Sequence, residues 1–580
     1  MQKDPANLSW LADAPEEILA QAKALKPGTE NFGEVLRQCV SYKLPDNVLD
    51  RLAVMCRRRD KSGEPVKPLS PISVSFVGNC TLDYLADSLR TAGARHSVFV
   101  QPHMGEYDQL MQEAINPGSS VNSAKSDVIF IYLDPRNLPL TASPWEPALA
   151  DKTLADSLEI MAANVGAIVF DTRSVAEVAG FGHWHDIQLW NMGKVPCALN
   201  ILPFLADHIA RILGSIRGKQ RKVLILDLDN TVWGGIIGDD GMTGIKISQG
   251  DAIGEAHIQV QNYAKALKSR GIVLAVCSKN TDAIAREPFR EHPDMILKED
   301  DIAVFQANWI DKASNIEAIA KALSLGLDSF VFLDDNPAER SQVRQALPMV
   351  AVPEISKDPS EYATTLMLAG YFEATNFVLE DAARAEQYRM NAKRAELQNS
   401  ARSLDDYIAS LEMDMVINDF DDVGLARITQ LINKTNQFNL TTRRYTDAQV
   451  KGFKDASDVH GFQIRLKDKF GDNGMISVVL AKEEGANWDL DLWLMSCRVL
   501  GRGVEKAVLD SIAEAAKAKG AETLTATYIP TDRNGLVSEH YENLGFTVTS
   551  EEDGTKHYIM KLADHVRKDY PITMTGPYGL

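Results

Sequence analysis

Residues 222–241 read KVLILDLDNTVWGGIIGDDG, and this stretch decides how the chain is understood. Four apolar residues, Val223–Leu226, have the length and continuity of a strand buried on both faces of a parallel sheet. The run ends in Asp227 and Asp229, followed by Thr231 and the pair Gly234 and Gly235. Positions i and i+2 of an extended segment face one side, so two carboxylates converge where open α/β sheets place their ligands. Like charges held together away from water are costly, and a divalent cation with a phosphoryl group would offset that cost. A polar strand-to-turn exit would carry the same residues. Three later strand ends favour the chemical reading. IVLAVCSKN places Ser278 and Lys279 after the apolar run 272–276. NWIDKASNI places Lys312 at the start of a predicted helix, and SFVFLDDNPAER places Asp334 and Asp335 after Phe330–Leu333. A carboxylate can attack phosphorus, and a neighbouring carboxylic acid can protonate a leaving group. A hydroxyl and an ammonium can hold the equatorial oxygens.

The bulk numbers narrow the classes. At 580 residues the chain is long enough for several domains, and a hydrophobic content of 45% lets each build a core. A net charge of -19 disfavours nonspecific nucleic-acid binding and anionic membrane surfaces. No apolar run approaches the roughly 18 residues of a membrane span, and MQKDPANLSW lacks the regions of a signal peptide. A cytoplasmic protein with neither membrane nor nucleic-acid partner is expected. The six cysteines (Cys39, Cys56, Cys80, Cys197, Cys277, Cys497) are dispersed, with no CxxC pair, as reduced thiols are.

Apolar runs alternating with helical stretches predict an α/β protein with three α/β domains. The expected division is a helical segment at 1–65, a first domain at 66–215, a second at 216–360, a helical connector at 361–412, a third domain at 413–566 and an irregular tail at 567–580.

In their order and at their strand ends, DLDNT (227–231), Ser278, Lys312 and the Asp334-Asp335 pair resemble the four motifs of the haloacid dehalogenase superfamily of phosphatases. The resemblance implies Asp227 as nucleophile and Asp229 as general acid and base. It implies phosphate binding by Thr231, Ser278, Lys279 and Lys312. It also implies Mg²⁺ held by Asp227, Asp229, Asp334 and Asp335, with the backbone of Leu228 or Asp229. Only 50 residues lie between Asp227 and Ser278, enough for the flap WGGIIGDDGMTGI and one helix, so the cap is minimal.

The third domain holds LWLMSCRVLGRGVEKAVLDSIAEAAKAKG, a strand at 490–495 joined to a helix at 504–519. Between them lies Arg498-x-x-Gly501-x-Gly503. Glycines let backbone approach a ligand closely, and a helix N-terminus favours anions, which suits a pantetheine phosphate. A tight turn would use the same glycines. The region resembles the N-acetyltransferase fold over about 413–565. Cys497, just before the loop, reads either as a small core thiol or as a nucleophile for a thioester, activated by Arg498 and the helix terminus. KTNQFNLTTRRY (434–445) reads equally as a phosphate-binding inventory or as a loop whose Asn and Thr satisfy backbone groups.

Taken together, DLDNTVWGGIIGDDG, VCSKN, FLDDNPAER, KTNQFNLTTRRY, DKFGDNG (468–474) and SCRVLGRGVE resemble the FkbH-type proteins. That resemblance implies capture of a glyceryl group from 1,3-bisphosphoglycerate with loss of phosphate. The group is then held as a cysteine thioester and passed to the phosphopantetheine arm of an acyl carrier protein at Arg498, Gly501, Arg502 and Gly503. The rival readings are a plain phosphatase, an acyltransferase serving surface-polysaccharide synthesis, a coenzyme A-dependent N-acyltransferase and a scaffold. In the first domain VSFVGNCTL (74–82) resembles the opening of the SGNH hydrolase fold, with the nucleophile position on Cys80. His183 or His185 would be its base and Gly105 an oxyanion donor. Asparagine is not clearly placed in LDPRN (133–137), so a repurposed domain is the stronger reading. Cys80 rivals Cys497 as the acyl-bearing thiol, and Cys277 is third.

Overall fold

The computed structural model describes residues 7–106, 118–132, 168–170, 172–374, 403–435, 438–496, 499–531 and 534–579, with positions 109, 113, 116, 134, 390, 393, 394 and 397 between them. The chain divides into two compact units, Met1–Arg389 and Met390–Leu580. Both are α/β, as their alternating patterns predict.

The first unit opens with helices Glu16–Ala24, Phe32–Val40 and Asp46–Ser62. A four-stranded parallel sheet follows, built from β1 (Ser70–Gly78), β2 (Val98–Met104), β3 (Val128–Tyr132) and β4 (Ile168–Phe170) in the order β2-β1-β3-β4. A second parallel sheet has the order β7-β6-β5-β8, from β5 (Val223–Leu226), β6 (Val273–Ser278), β7 (Ile302–Ala307) and β8 (Phe330–Leu333). All residues of β5, β6 and β8 are buried, which is why they read as unbroken apolar runs rather than alternating ones. Leu226 pairs with Val276 on one side and with Leu333 on the other. That register brings the ends of β5 and β8 level, while β6 runs two residues further to Ser278.

Helix caps then aim the loops. Asp311 accepts a hydrogen bond from Ser314 N at 2.9 Å, which starts the helix Lys312–Leu323 at the lysine. Asn336 caps the helix Pro337–Ala346 through Ala338 N at 2.9 Å, with Pro337 at its first position. The flap after β5 is closed by Asn230, in the left-handed region at φ 54°, whose Oδ1 accepts from Gly235 N at 2.9 Å. Trp233, fully buried, packs edge-on against Phe289.

One expectation needs amendment. Leu199–Ile216 is long and apolar enough to cross a membrane, yet 61% of it is buried inside the first unit. It is a core helix, and it carries a buried charge cluster. Asp207 accepts from Arg95 at 2.5 Å and Arg211 at 3.3 Å, and lies 3.0 Å from His96 Nε2. Burial alone would raise the Asp207 carboxyl, but His96, Arg95 and Arg211 overcome it and hold it far below the usual range. Burial keeps His96 below its ordinary value, so the two arginines carry the opposing charge at neutral pH.

The second unit is one eight-stranded mixed sheet in the order β14-β15-β13-β12-β11-β10-β9-β16. Its strands are β9 (Met413–Asp419), β10 (Val459–Asp468), β11 (Gly471–Glu484), β12 (Asn487–Met495), β13 (Thr523–Tyr528), β14 (Thr547–Glu552), β15 (Thr555–Lys561) and β16 (Ile572–Thr575). β9 to β12 form an antiparallel meander. β12 and β13 are parallel, joined across the helix Val504–Ala518, as a parallel pair requires. The tail is not irregular: β16 pairs in parallel with β9, and its alternating Ile572 and Met574 pack on the core.

Replacing Asp207 by Asn leaves two arginines facing no buried anion. Stability of the first unit should fall by about 3–5 kcal/mol in denaturant titrations at pH 7. Because the folded carboxyl is depressed, the wild-type contribution is present above about pH 4 and lost as the pH falls, so the two proteins should converge in acid.

Candidate functional site

Asp227, Asp334 and Asp335 offer ligand oxygens that all lie within 4.8 Å of one another. Asp227 and Asp334 follow the level ends of β5 and β8, which is what gathers them. Lys312, at the first turn of its helix, puts Nζ 3.0 Å from Asp227 Oδ1 and donates to Asp334 Oδ2. Asp334 Oδ1 accepts from Asn336 N at 2.8 Å. Asp335 N donates to the Thr231 hydroxyl at 3.1 Å, tying the second acidic loop to the first. Arg340 clamps that loop from behind, donating to the carbonyls of Asp334 at 2.9 Å and Asp335 at 2.7 Å.

Electrostatics follow from one ammonium facing three acids. Burial, then repulsion from Asp227, pushes Asp334 up to about 7 and Asp335 up to about 6, against the pull of Lys312. Burial would lower Lys312, but Asp227 and Asp334 outweigh it and hold it above its ordinary value. An oxygen-only cluster with surplus negative charge fits a hard divalent cation.

Asp229 does not join this cluster, contrary to the expected metal set. Its Oδ1 accepts from Trp233 Nε1 at 2.9 Å and Ile237 N at 3.0 Å, and its Oδ2 from Asn280 Nδ2 at 2.9 Å. The flap thus holds the carboxylate apart from the metal-type oxygens. Burial raises its pKa despite those bonds, with Asp227 adding to the rise. A raised, positioned carboxyl beside a nucleophile is what a proton carrier needs. Trp233 and Asn280 were not among the expected site residues. Their signal was spacing: Trp233 lies four residues after Asp229, and Asn280 two after Ser278.

The phosphate-binding expectations divide. Ser278 is buried at the end of β6, and its hydroxyl takes no protein partner among the described residues. Lys312 is in place, as described. Thr231 is fully buried and its oxygen serves the Asp335 amide. Lys279 instead spends its charge on Glu339 at 2.6 Å. Cys277 is a core thiol, raised by burial, that donates to Lys312 O at 3.8 Å.

In the first sheet Cys80 is buried in the core, while Asn79 and Asp134 exchange hydrogen bonds of 2.9 and 2.7 Å across the ends of β1 and β3. Gly105 does not offer a free oxyanion donor, because its amide donates to Phe76 O at 2.8 Å. His183 is exposed and His185 half-buried. The remainder of LDPRN around Asp134 lies outside the described residues.

In the second unit Gly501 and Gly503 have φ of 73° and 80°, a backbone that a side chain would strain. They border a cavity of about 790 Å³, lined also by Phe438, His540, Leu544 and Tyr570. Burial pushes the His540 imidazole down to about 4, and its Nε2 has no partner among the described residues. Arg502 also lines this cavity, with its guanidinium 3.4 Å from Asp468 Oδ2. Cys497 and Arg498 lie outside the described residues. β12 and β13 pair only as far as Leu490 and Ala526. Beyond that point residues 438–440 wedge between them: Met495 N donates to Phe438 O at 3.1 Å, Leu440 N to Trp493 O at 3.2 Å, and Ile529 N to Leu440 O at 2.9 Å. Arg443 pairs with Asp491, and Arg444 donates to Thr435 O at 3.0 Å. The described part of KTNQFNLTTRRY therefore builds the sheet, which favours its structural reading.

No family model and no curated protein matches the chain. Among solved structures, the N-terminal part of the protein BF1531 from Bacteroides fragilis, containing a phosphatase domain complexed with Mg, is 30% identical. That match covers 57% of this chain and 98% of that one at a TM-score of 0.51. The GNAT domain of S. lividans PAT is 17% identical over 25% of this chain and 89% of its own, at a TM-score of 0.21. Spermidine N-acetyltransferase from Vibrio cholerae is 11% identical over 26% and 96%, also at 0.21. Likeness at that level carries nothing about activity.

Two outcomes are expected. Without a divalent ion, ionising Asp334 and Asp335 costs folded-state stability, so Tm should fall as the pH rises from about 4 to 7. Added Mg²⁺ should remove that fall, and thermal scans across the range check it. Asn280→Ala removes a donor that favours the Asp229 anion and orients it, so phosphatase kcat should drop about tenfold or more with Mg²⁺ affinity unchanged.

Proposed function

We propose, for a chain that belongs over its aligned part to the family of the BF1531 phosphatase domain, that the acidic site dephosphorylates an acyl group that the second unit carries as a thioester. The carrying observation is the separation of two carboxylates two residues apart. Asp227 faces Lys312 and the metal-type acids, while Asp229 is held away by Trp233, Ile237 and Asn280. That separation supports Asp227 as the group that attacks phosphorus and Asp229 as the one that moves a proton.

The substrate we infer is 1,3-bisphosphoglycerate. A thiol, Cys497, attacks the acyl carbon; the carbon–oxygen bond to the acyl phosphate breaks and inorganic phosphate leaves, forming a thioester. Asp227 Oδ then attacks the remaining phosphomonoester. The ester oxygen departs with a proton from Asp229, leaving glyceryl thioester and an aspartyl phosphate. Water, deprotonated by Asp229, attacks that phosphate and frees Asp227. Lys312 and Ser278 hold the phosphoryl oxygens through these steps. Asp227, Asp334 and Asp335 would hold Mg²⁺, which when bound neutralises the charge on the transferring group. A thiol exchange to the phosphopantetheine arm of an acyl carrier protein at the glycine loop completes the transfer. The 790 Å³ cavity beside Gly501 and Gly503 supports that reading.

A plain phosphatase is the second reading, favoured by Arg502 being engaged with Asp468. Incubation with 1,3-bisphosphoglycerate and Mg²⁺ should add a glyceryl mass to the intact chain, and Cys497→Ala should abolish the adduct. An adduct that persists in Cys497→Ala and maps to Cys80 would move the thiol there; phosphate release with no adduct would leave the plain phosphatase. Asp227→Asn should lower phosphate release from the phosphomonoester about 10³-fold or more in a single-turnover assay.

A further inference from the structure

We propose that the first unit holds a second anion site, for an oxyanion of phosphate size, in the cavity enclosed by Arg37, Arg95, Arg221 and Arg344. The cavity has a volume of about 60 Å³, several times what one water needs. Its four guanidiniums come from separate places: Arg37 on the helix Phe32–Val40, Arg95 ending the helix Asp83–Arg95, Arg221 just before β5, and Arg344 on the helix Pro337–Ala346.

Charge counting shows what is missing. Arg95 is answered by Asp207, but that carboxylate also serves Arg211. Arg344 is answered by Glu354 at 2.5 Å, which also binds Arg340. Among the described residues, Arg37 and Arg221 hydrogen-bond no carboxylate. Arg37 donates to the thioether of Met349, a weak acceptor, and Arg221 to the backbone carbonyls of Asp328 and Met349. The Asp328 and Glu34 side chains act on them only at longer range. Burial holds both guanidiniums below their ordinary value, Arg221 at about 10 with Arg37 adding to the fall. Arg37 is buried and Arg221 half-buried; cations drawn that far from water without anions are costly, and forked guanidiniums match a tetrahedral oxyanion.

This site is not the catalytic one. Arg221 precedes the first residue of β5 and Asp227 follows the last, so six extended residues put them roughly 20 Å apart, at opposite ends of the strand. The ligand class is a small phosphate, either the free ion or the head of a phosphomonoester.

Thermal scans and calorimetric titration of the full chain with inorganic phosphate and, separately, glycerol 2-phosphate, in divalent-free buffer, test the proposal. Phosphate should raise Tm equally in wild type and in Lys312→Met, whose catalytic phosphate contact is gone. Arg37→Lys with Arg221→Lys, keeping the charges but losing the forks, should weaken binding at least tenfold. Tighter binding of the free ion or of the ester identifies the source. A phosphate effect that vanishes in Lys312→Met, or one undiminished in the double variant, overturns the site. Should the double variant not fold, the Lys312→Met comparison decides alone.

Discussion

One buried ammonium set among three carboxylates governs the first unit. Lys312 meets Asp227 and Asp334 at once, and Asp335 stands beside them without an ion pair among the described residues. Such a cluster is stable only if the backbone leaves it no alternative. Level strand ends, a capped helix starting at Lys312, and Arg340 gripping two carbonyls supply that constraint. The unmet negative charge is then a stored preference for a cation and for the phosphoryl oxygens that come with it.

The same reasoning separates the two aspartates of DLD. Alternation along a strand would put both on one face, and the strand does end there. The turn at Asn230 and the indole of Trp233 then draw Asp229 into a different hydrogen-bonding world from Asp227. Division of labour between two like residues comes from the flap rather than from the sheet.

Legibility tracked how local each signal was. β5 and β8 were readable because strands buried on both faces show as unbroken apolar runs. Lys312 was readable as the start of a predicted helix, and the structure shows Asp311 capping it there. Asn280 was not, because its spacing from Ser278 acquires a meaning only once the flap it reaches is in place. Lys279 looked equivalent to Lys312, but only the fold shows that Glu339 claims it. The strand β16 was missed because four residues in a proline- and glycine-flanked tail carry too little pattern, and their partner β9 is far away in sequence. Arg502 was expected only at the carrier-binding loop, because its ion pair with Asp468 comes from a hairpin distant in sequence.

The wedge at 438–440 has a consequence for how anything enters the second unit. With both flanks of the divergence stitched to a third segment, residues 438–440 fill the gap between β12 and β13 among the described residues. The cavity that the second unit offers lies where the glycines bend the chain, so an occupant there would meet a doorway of fixed shape rather than an edge to extend.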